Sequence, residues 1–267
     1  MLSIKLIEMA IGIIGGTGVY DPDILGDAKK VNMLTPYGEP SDLFTVGVFR
    51  GKKIVIVPRH GSGHTINPSN VNYRANVWAL KEMGVTRILA PTAVGSLKEE
   101  IKPGDFVFAD QFIDRTFGRA NTFYTGKQVC HMSMAEPCCA ELRDLLINEA
   151  KKLGFSFHEK GTCVAIEGPR FSTKAESFLF RNWGADIINM TMVPECILAR
   201  ELEICYATIA MVTDYDCWKD VPVNADEIIQ TMQKNNEKVK KLLINIISKI
   251  PEERSCVCKT ALKGAFI

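Results

Sequence analysis

Short apolar runs alternate with amphipathic ones along most of this chain. Ile11 to Ile14, Lys53 to Val57, Arg87 to Ala90, Asp105 to Ala109, Gly161 to Ile166, Ile187 to Thr191 and Ile204 to Val212 each read as buried strands. Between them, helical spacing predicts a helix over Val71 to Met83, capped by Ser69 and closed by Gly84, and another from Pro137 to Leu153. A third follows Ser172 or Thr173, either of which can cap it, and carries Glu176, Phe178, Phe180 and Trp183. The last opens on a capping box, Asn224 with Glu227. It continues as the stripe Ile228, Ile229, Met232, Val239, Leu242, Leu243, Ile246, Ile247 and Ile250 until Pro251. Strands alternating with helices predict an α/β fold around a largely parallel, wound sheet. Gln111 to Met134 has little periodicity and reads as a lid or an interface segment.

The totals narrow the classes open to this pattern. With 267 residues, 46% hydrophobic and 24% charged, the chain is long enough to bury one sizeable core without metal or disulfide support. It shows no internal repeat, low-complexity tract or linker, so one domain over residues 1–267 is expected, with an N-terminal extension (1–10) and a cysteine-containing C-terminal tail (251–267). A net charge of +1 leaves no electrostatic footprint for nucleic acid or an anionic membrane, so any bound anion must be met locally. No apolar run reaches the roughly 18 residues of a spanning helix. Met1 to Ala10 has no cleavage pattern, and a cytoplasmic protein is expected. The nine cysteines are scattered, which leaves two readings open, buried free thiols or structural disulfides. Cys256-Val257-Cys258 suits redox exchange or a strained disulfide better than zinc, which takes four ligands.

The chemistry concentrates where strands end. Ile11 to Ile14 runs into Gly15-Gly16-Thr17-Gly18, a tight turn that matches neither a dinucleotide fingerprint nor a Walker loop. Lys53 to Val57 delivers Pro58-Arg59-His60-Gly61, a permanent cation among glycines, as oxyanion binding requires. His60 and His64 are four apart, but the glycines between them argue against a zinc-binding helix. The next strand ends in Thr92-Ala93-Val94-Gly95-Ser96, and later ones in Asn189 to Thr191 and in Thr213, Asp214 and Asp216. Polar tips of separate strands in an open α/β sheet are where ligands bind. Phe171 either staples the helix behind it or stacks on a planar ligand. His131 is a structural histidine unless a neighbouring subunit brings it to a site.

In this order and spacing GGTG, PRHG, TAVGSL, EGPRFST, NMTMVPE and VTDYD resemble the purine nucleoside phosphorylase superfamily, and within it the 5'-methylthioadenosine phosphorylases, from Ile11 to about Ile250. The resemblance implies a single-domain phosphorylase/hydrolase-like α/β fold with a mixed, partly barrel-like sheet flanked by helices. It also implies a homotrimer or a dimer of trimers, with no cofactor and inorganic phosphate as co-substrate. It places Thr17, Arg59, His60, Thr92, Ala93 and Thr191 on phosphate and Met190 on ribose. Phe171, Ser172, Asp214 and Asp216 fall in the base pocket. Ala225, Ile228 and Ile229, with His131 from an adjacent subunit, fall at the 5'-substituent. In similar archaeal enzymes intrasubunit disulfides and a C-terminal CxC occur, and Cys139 with Cys205 and Cys256 with Cys258 match those positions.

The implied reaction is phosphorolysis of an N-glycosidic bond, in which phosphate is held on one face of the sugar while the purine leaves. Asp214, as a carboxylic acid, would protonate or hydrogen-bond N7, a contribution on the order of 10²–10⁴ in rate. Relatives that take guanine and hypoxanthine carry Glu at the place of Ser172 and Asn at the place of Asp214, whereas adenine offers a bare N1 and an amino donor. Ser172 with Asp214 therefore favours a 6-aminopurine. The alternatives are a 6-oxopurine nucleoside phosphorylase and a nucleoside-binding protein without turnover.

Overall fold

The computed structural model describes residues 9–15, 25–219 and 225–267, the last stretch without the side chains of 225–227. Residues 1–8 of the expected N-terminal extension, Thr17 in its glycine turn, and the Asn224–Glu227 capping box fall outside the described residues. The strands are β1 (Ala10–Gly15), β2 (Gly26–Val31), β3 (Phe44–Phe49) and β4 (Lys52–Pro58). Helix α1 (Tyr73–Glu82) leads to β5 (Val85–Ser96), β6 (Phe106–Val107) and β7 (Gln111–Arg115). Then come α2 (Ala140–Lys152), β8 (Phe157–His158), β9 (Thr162–Ile166), α3 (Lys174–Asn182), β10 (Ile187–Asn189), α4 (Met192–Glu201), β11 (Cys205–Asp214) and α5 (Ala225–Ile247).

Among the described residues one mixed sheet joins the strands in the order β2-β3-β4-β1-β5-β10-β9-β7, with β11 branching from β5, β6 pairing with β11 and β8 with β6. β5 is the hub. It runs parallel to β1 between Val85 and Leu89, parallel to β11 from Arg87 to Gly95, and antiparallel to β10 at Gly95 and Ser96. Neighbouring residues on these strands point to opposite faces, as the two-residue period demands. Ile14, Val57, Ile88 and Val212 pack with Val77 and Leu80 of α1 and Leu198 of α4. Ile13, Ile56, Leu89 and Met211 pack with Leu142 and Leu146 of α2 and Leu242 and Ile246 of α5. Strands apolar on both faces are what a sheet covered on both sides requires.

The pattern-based expectation of a largely parallel sheet gives way to a mixed one. β3 pairs antiparallel with both β2 and β4. β2 carries GDAKKV on an exposed edge, so it has no hydrophobic signal to read. β7 lies inside the stretch expected to be loop, and parallel pairing with β9 makes it a strand. α1 is capped by Asn72, whose side chain accepts from the Ala75 N–H; Ser69 sits in a short 3₁₀ turn ahead of it. β5 continues past Ala90 through Pro91 to Ser96, because β11 and β10 supply partners for the extension.

The expected Cys139–Cys205 and Cys256–Cys258 disulfides are not formed; all nine cysteines are free thiols. The Cys205 sulfur lies 3.3 Å from that of Cys256, a contact that crosses the expected pairs. Among the described residues no helix is long and apolar enough to cross a membrane.

Candidate active site

The carboxyl ends of β4, β5, β10 and β11 open onto one pocket of about 620 Å³, closed on the other side by the loop before α3 and the first turns of α5. The pairing register accounts for one pole. β10 sets Ile187 opposite Ser96 and Ile188 opposite Gly95, and continuing that antiparallel count brings Thr191 opposite Thr92. Their hydroxyls are 3.2 Å apart. Thr191 stands at the N-cap of α4 without making a side-chain cap bond, so its hydroxyl remains for a ligand. Ala93 lines the same wall.

His60 enters from the end of β4, its Nδ1 2.8 Å from the Ile66 carbonyl oxygen. A carbonyl only accepts, so Nδ1 carries the proton and Nε2 of the neutral ring is an acceptor. Burial, reinforced by the adjacent Arg59 charge, pushes the His60 pKa down to about 4, against the Ile66 hydrogen bond, which acts the other way. The ring is therefore uncharged near neutrality.

Arg59 borders the pocket, but it is not the free cation that PRHG implies. Its Nε and Nη2 donate to the two carboxylate oxygens of Glu195, and its Nη1 and Nη2 also reach the carbonyls of Pro91 and Ile14. Both side chains are buried, and the Tyr206 hydroxyl donates to Glu195 at 3.0 Å. Bidentate pairing spends most of the guanidinium fork on locking the ends of β1, β4 and β5 to α4. Arg59 nonetheless lines the pocket beside His60, Thr92 and Thr191.

At the other pole, Asp214 closes β11. Its carboxylate accepts from the Thr213 hydroxyl at 2.7 Å and from the Asp216 N–H at 2.8 Å. Burial raises its pKa above the ordinary carboxylate value; those two hydrogen bonds pull it partly back, and the Asp216 charge adds to the rise. Asp216 takes a left-handed backbone (φ 49°), which lets the chain fold its N–H back onto Asp214. Its own carboxyl is also raised by burial, with the neighbouring Ser177 hydroxyl acting against this. Gly95 leaves little spare room where these acids pack: a Cβ there would sit 3.0 Å from Asp214 Oδ1 and 3.2 Å from Asp216 Cβ.

The choice of α3 cap is settled as Thr173, which forms a full capping box with Glu176. Ser172 is thereby released, and its buried hydroxyl has no hydrogen-bond partner, like Asp216 Oδ2 and Asn189 Nδ2. Buried orphans of this kind call for a partner. Phe171 is 48% exposed and lines the pocket, a position for stacking on a planar ligand. Met190 lies between the poles, against Gly168.

Ile228 lines the pocket but Ile229 does not, being 55% exposed. On a helix the neighbour that shares a face is four residues on, and Met232 takes that place. Ala225 opens α5, with its side chain outside the description. His131 is exposed and absent from this pocket; its N–H donates to the Ala265 carbonyl at 2.7 Å.

Arg119 lies in a stretch with no periodicity or motif to mark it in the sequence. From the long segment after β7 it donates to the carbonyls of Met190 and Val193 at 2.6 Å and contacts Glu167, whose carboxylate also accepts from the Phe117 and Gly118 N–H groups. It positions the backbone that presents Met190 and Thr191.

With this geometry in place, the chain belongs to the phosphorylase superfamily, whose model matches residues 10–248. Within that superfamily it groups with the S-methyl-5'-thioadenosine phosphorylases. It is 56% identical to the one from Thermofilum pendens, over 97% of this chain and 99% of the relative. To that of Saccharolobus solfataricus it is 53% identical, over 97% and 98%. Among solved structures it is similar to methylthioadenosine phosphorylase from Schistosoma mansoni in complex with adenine (TM-score 0.90, 43% identity, 96% of this chain and 97% of that one). A variant of the Schistosoma adenosine/methylthioadenosine phosphorylase in complex with methylthioadenosine superposes with a TM-score of 0.88 at 44% identity, covering 96% of each chain.

Proposed function

We propose that the pocket carries out phosphorolysis of 5'-methylthioadenosine to adenine and 5-methylthioribose 1-phosphate, a pentosyl transfer to inorganic phosphate. The observation that carries this is the pairing of two unlike poles: the facing hydroxyls of Thr92 and Thr191 beside neutral His60, and the raised carboxyl of Asp214 across Met190. Phosphate takes the first pole, donating its O–H to His60 Nε2 and accepting from the threonines. Adenine takes the second, flanked by Phe171, with Asp214 donating to N7 as the glycosidic bond lengthens. No covalent nucleophile is needed, because phosphate is the nucleophile and the protein supplies position and charge complementarity. The Ser172 hydroxyl and Asp216 Oδ2 lack partners, and Asp216 lines the pocket; these two would meet the edge of a 6-aminopurine. Adenine in one similar structure and methylthioadenosine in another support this placement.

Ile228 and Met232 offer only apolar contact at the wall formed by α5. A methylthio group is favoured there over a 5'-hydroxyl by about 1–3 kcal/mol, so adenosine remains a slower substrate. The working molecule is a trimer or a dimer of trimers in which His131 of one subunit completes the 5' end of its neighbour's pocket. Support comes from the exposure of His131 and of apolar Phe117 (88%) and Leu34 (78%). A cytoplasmic setting goes with nine free thiols. The test is product analysis with and without phosphate: adenine and a phosphorylated methylthiopentose are expected in equal amounts and only with phosphate. Adenine release independent of phosphate would make the chain a hydrolase, and no release would leave it a binder.

A further inference from the structure

The C-terminal CxC offers two thiols, too few for zinc, but the fold brings two more. Cys139 is the N-cap residue of α2, Cys205 is the first residue of β11, and Cys256 and Cys258 come from the tail. All four sulfurs lie within 4.8 Å of one another. Three of the four cysteines are buried, and Cys256 is partly so. Four sulfurs bound at about 2.3 Å to one tetrahedral ion stand roughly 3.8 Å apart, within the span seen here. We propose that Cys139, Cys205, Cys256 and Cys258 form a structural site for a thiophilic divalent metal, zinc being the expected occupant.

The arrangement suits an ion better than a pair of disulfides. Two disulfides need two short sulfur–sulfur distances of about 2.05 Å and leave the pairs otherwise independent. Here the sulfurs form one mutual cluster, and a close contact in it, Cys205 to Cys256 at 3.3 Å, joins the β11 strand to the tail. On binding, each thiol releases its proton to solvent and each thiolate donates a pair to the metal, leaving a site of net charge −2. Arg200 Nη1 lies 4.0 Å from the Cys258 sulfur and offsets part of that charge. All four protein ligands fill a tetrahedral shell, which is the closed pattern of a structural rather than a catalytic zinc.

The consequence is mechanical. Residues 251–267 have little core of their own, and the metal would bind them to α2 and to β11, the strand that ends in Asp214. Beyond the site the same tail meets the segment of His131, through Cys130 pairing with Phe266 and the His131 N–H donating to Ala265. Tail order and His131 placement are thus coupled to the occupied site.

The experiment is elemental analysis of the full chain purified with reductant and without chelator, followed by stripping and reconstitution with cobalt. About one zinc per chain is expected, and the cobalt form should show thiolate charge-transfer bands and the strong visible absorption of a tetrahedral site. Cys256→Ser and Cys258→Ser should each lose most of the bound metal. Removing it should speed hydrogen exchange in residues 251–267 and around His131, while the central strands stay protected. A chain that stays metal-free when offered either ion, or native peptide mapping that finds these four cysteines joined in two disulfides, would overturn the proposal. Neither readout depends on the activity proposed above.

Discussion

On the proposed function, Asp214 decides which purine leaves and how easily. Its raised pKa keeps it protonated to higher pH than a free aspartic acid, so the phosphorolysis rate should fall as pH rises through that value. Asp214→Asn should lower kcat/KM for methylthioadenosine by about 10²–10⁴ and raise it for inosine, measured on both nucleosides; unchanged selectivity would defeat the assignment. His60 gives a second expectation. With its pKa lowered from 6.5 to about 4, the folded protein resists protonation that the unfolded chain accepts. His60 therefore costs stability as pH falls from about 6.5 towards 4, and its ring proton signals should not shift across the neutral range in NMR titration. Thr92, Thr191 and Asp214 were legible in the sequence because each is a polar residue closing an apolar run. Glu195, 136 residues from Arg59, was not, since nothing local marks a partner that distant. Ile229, which the resemblance places at the 5'-substituent, is exposed on this chain, and a stripe of apolar residues does not say which edge of it meets the pocket.

At the scale of elements, the site is held by strand ends that other elements fasten. Glu195 on α4 and Arg59 after β4 form a buried pair, and removing one partner strands a charge without solvent. Glu195→Ala should cost about 3–5 kcal/mol of stability in denaturant unfolding, well beyond the loss from truncating a surface glutamate. Gly95 on β5 makes a separate test. A methyl group there meets Asp214 and Asp216 at 3.0 and 3.2 Å, so Gly95→Ala should displace the acids and cut kcat/KM on the order of tenfold to a hundredfold, with the Tm little changed. The order of strands and helices was largely readable from periodicity, and so was the helix after Thr173, though not which of Ser172 and Thr173 caps it. The edge strands were not: β2 is polar and exposed, and β7 is a strand only because β9 lies beside it.

For the whole molecule, one sheet branching at β5 brings the Thr92–Thr191 hydroxyls and the Asp214 carboxyl to one pocket, the proposed anion and purine poles. If His131 of one subunit completes its neighbour's pocket, as proposed, activity depends on assembly. Light scattering should give three or six chains per particle, and His131→Ala should raise KM for methylthioadenosine while leaving KM for phosphate unchanged. The tail was legible as a cysteine-bearing segment, but its meeting with Cys139 and Cys205 depends on packing that no local pattern encodes. The central claim is spatial, and a crystal structure with adenine and phosphate bound tests it most directly. The account predicts the anion between the Thr92 and Thr191 hydroxyls beside His60, with adenine N7 facing Asp214. Phosphate seated away from both threonines, or adenine turned with N7 away from Asp214, would contradict it.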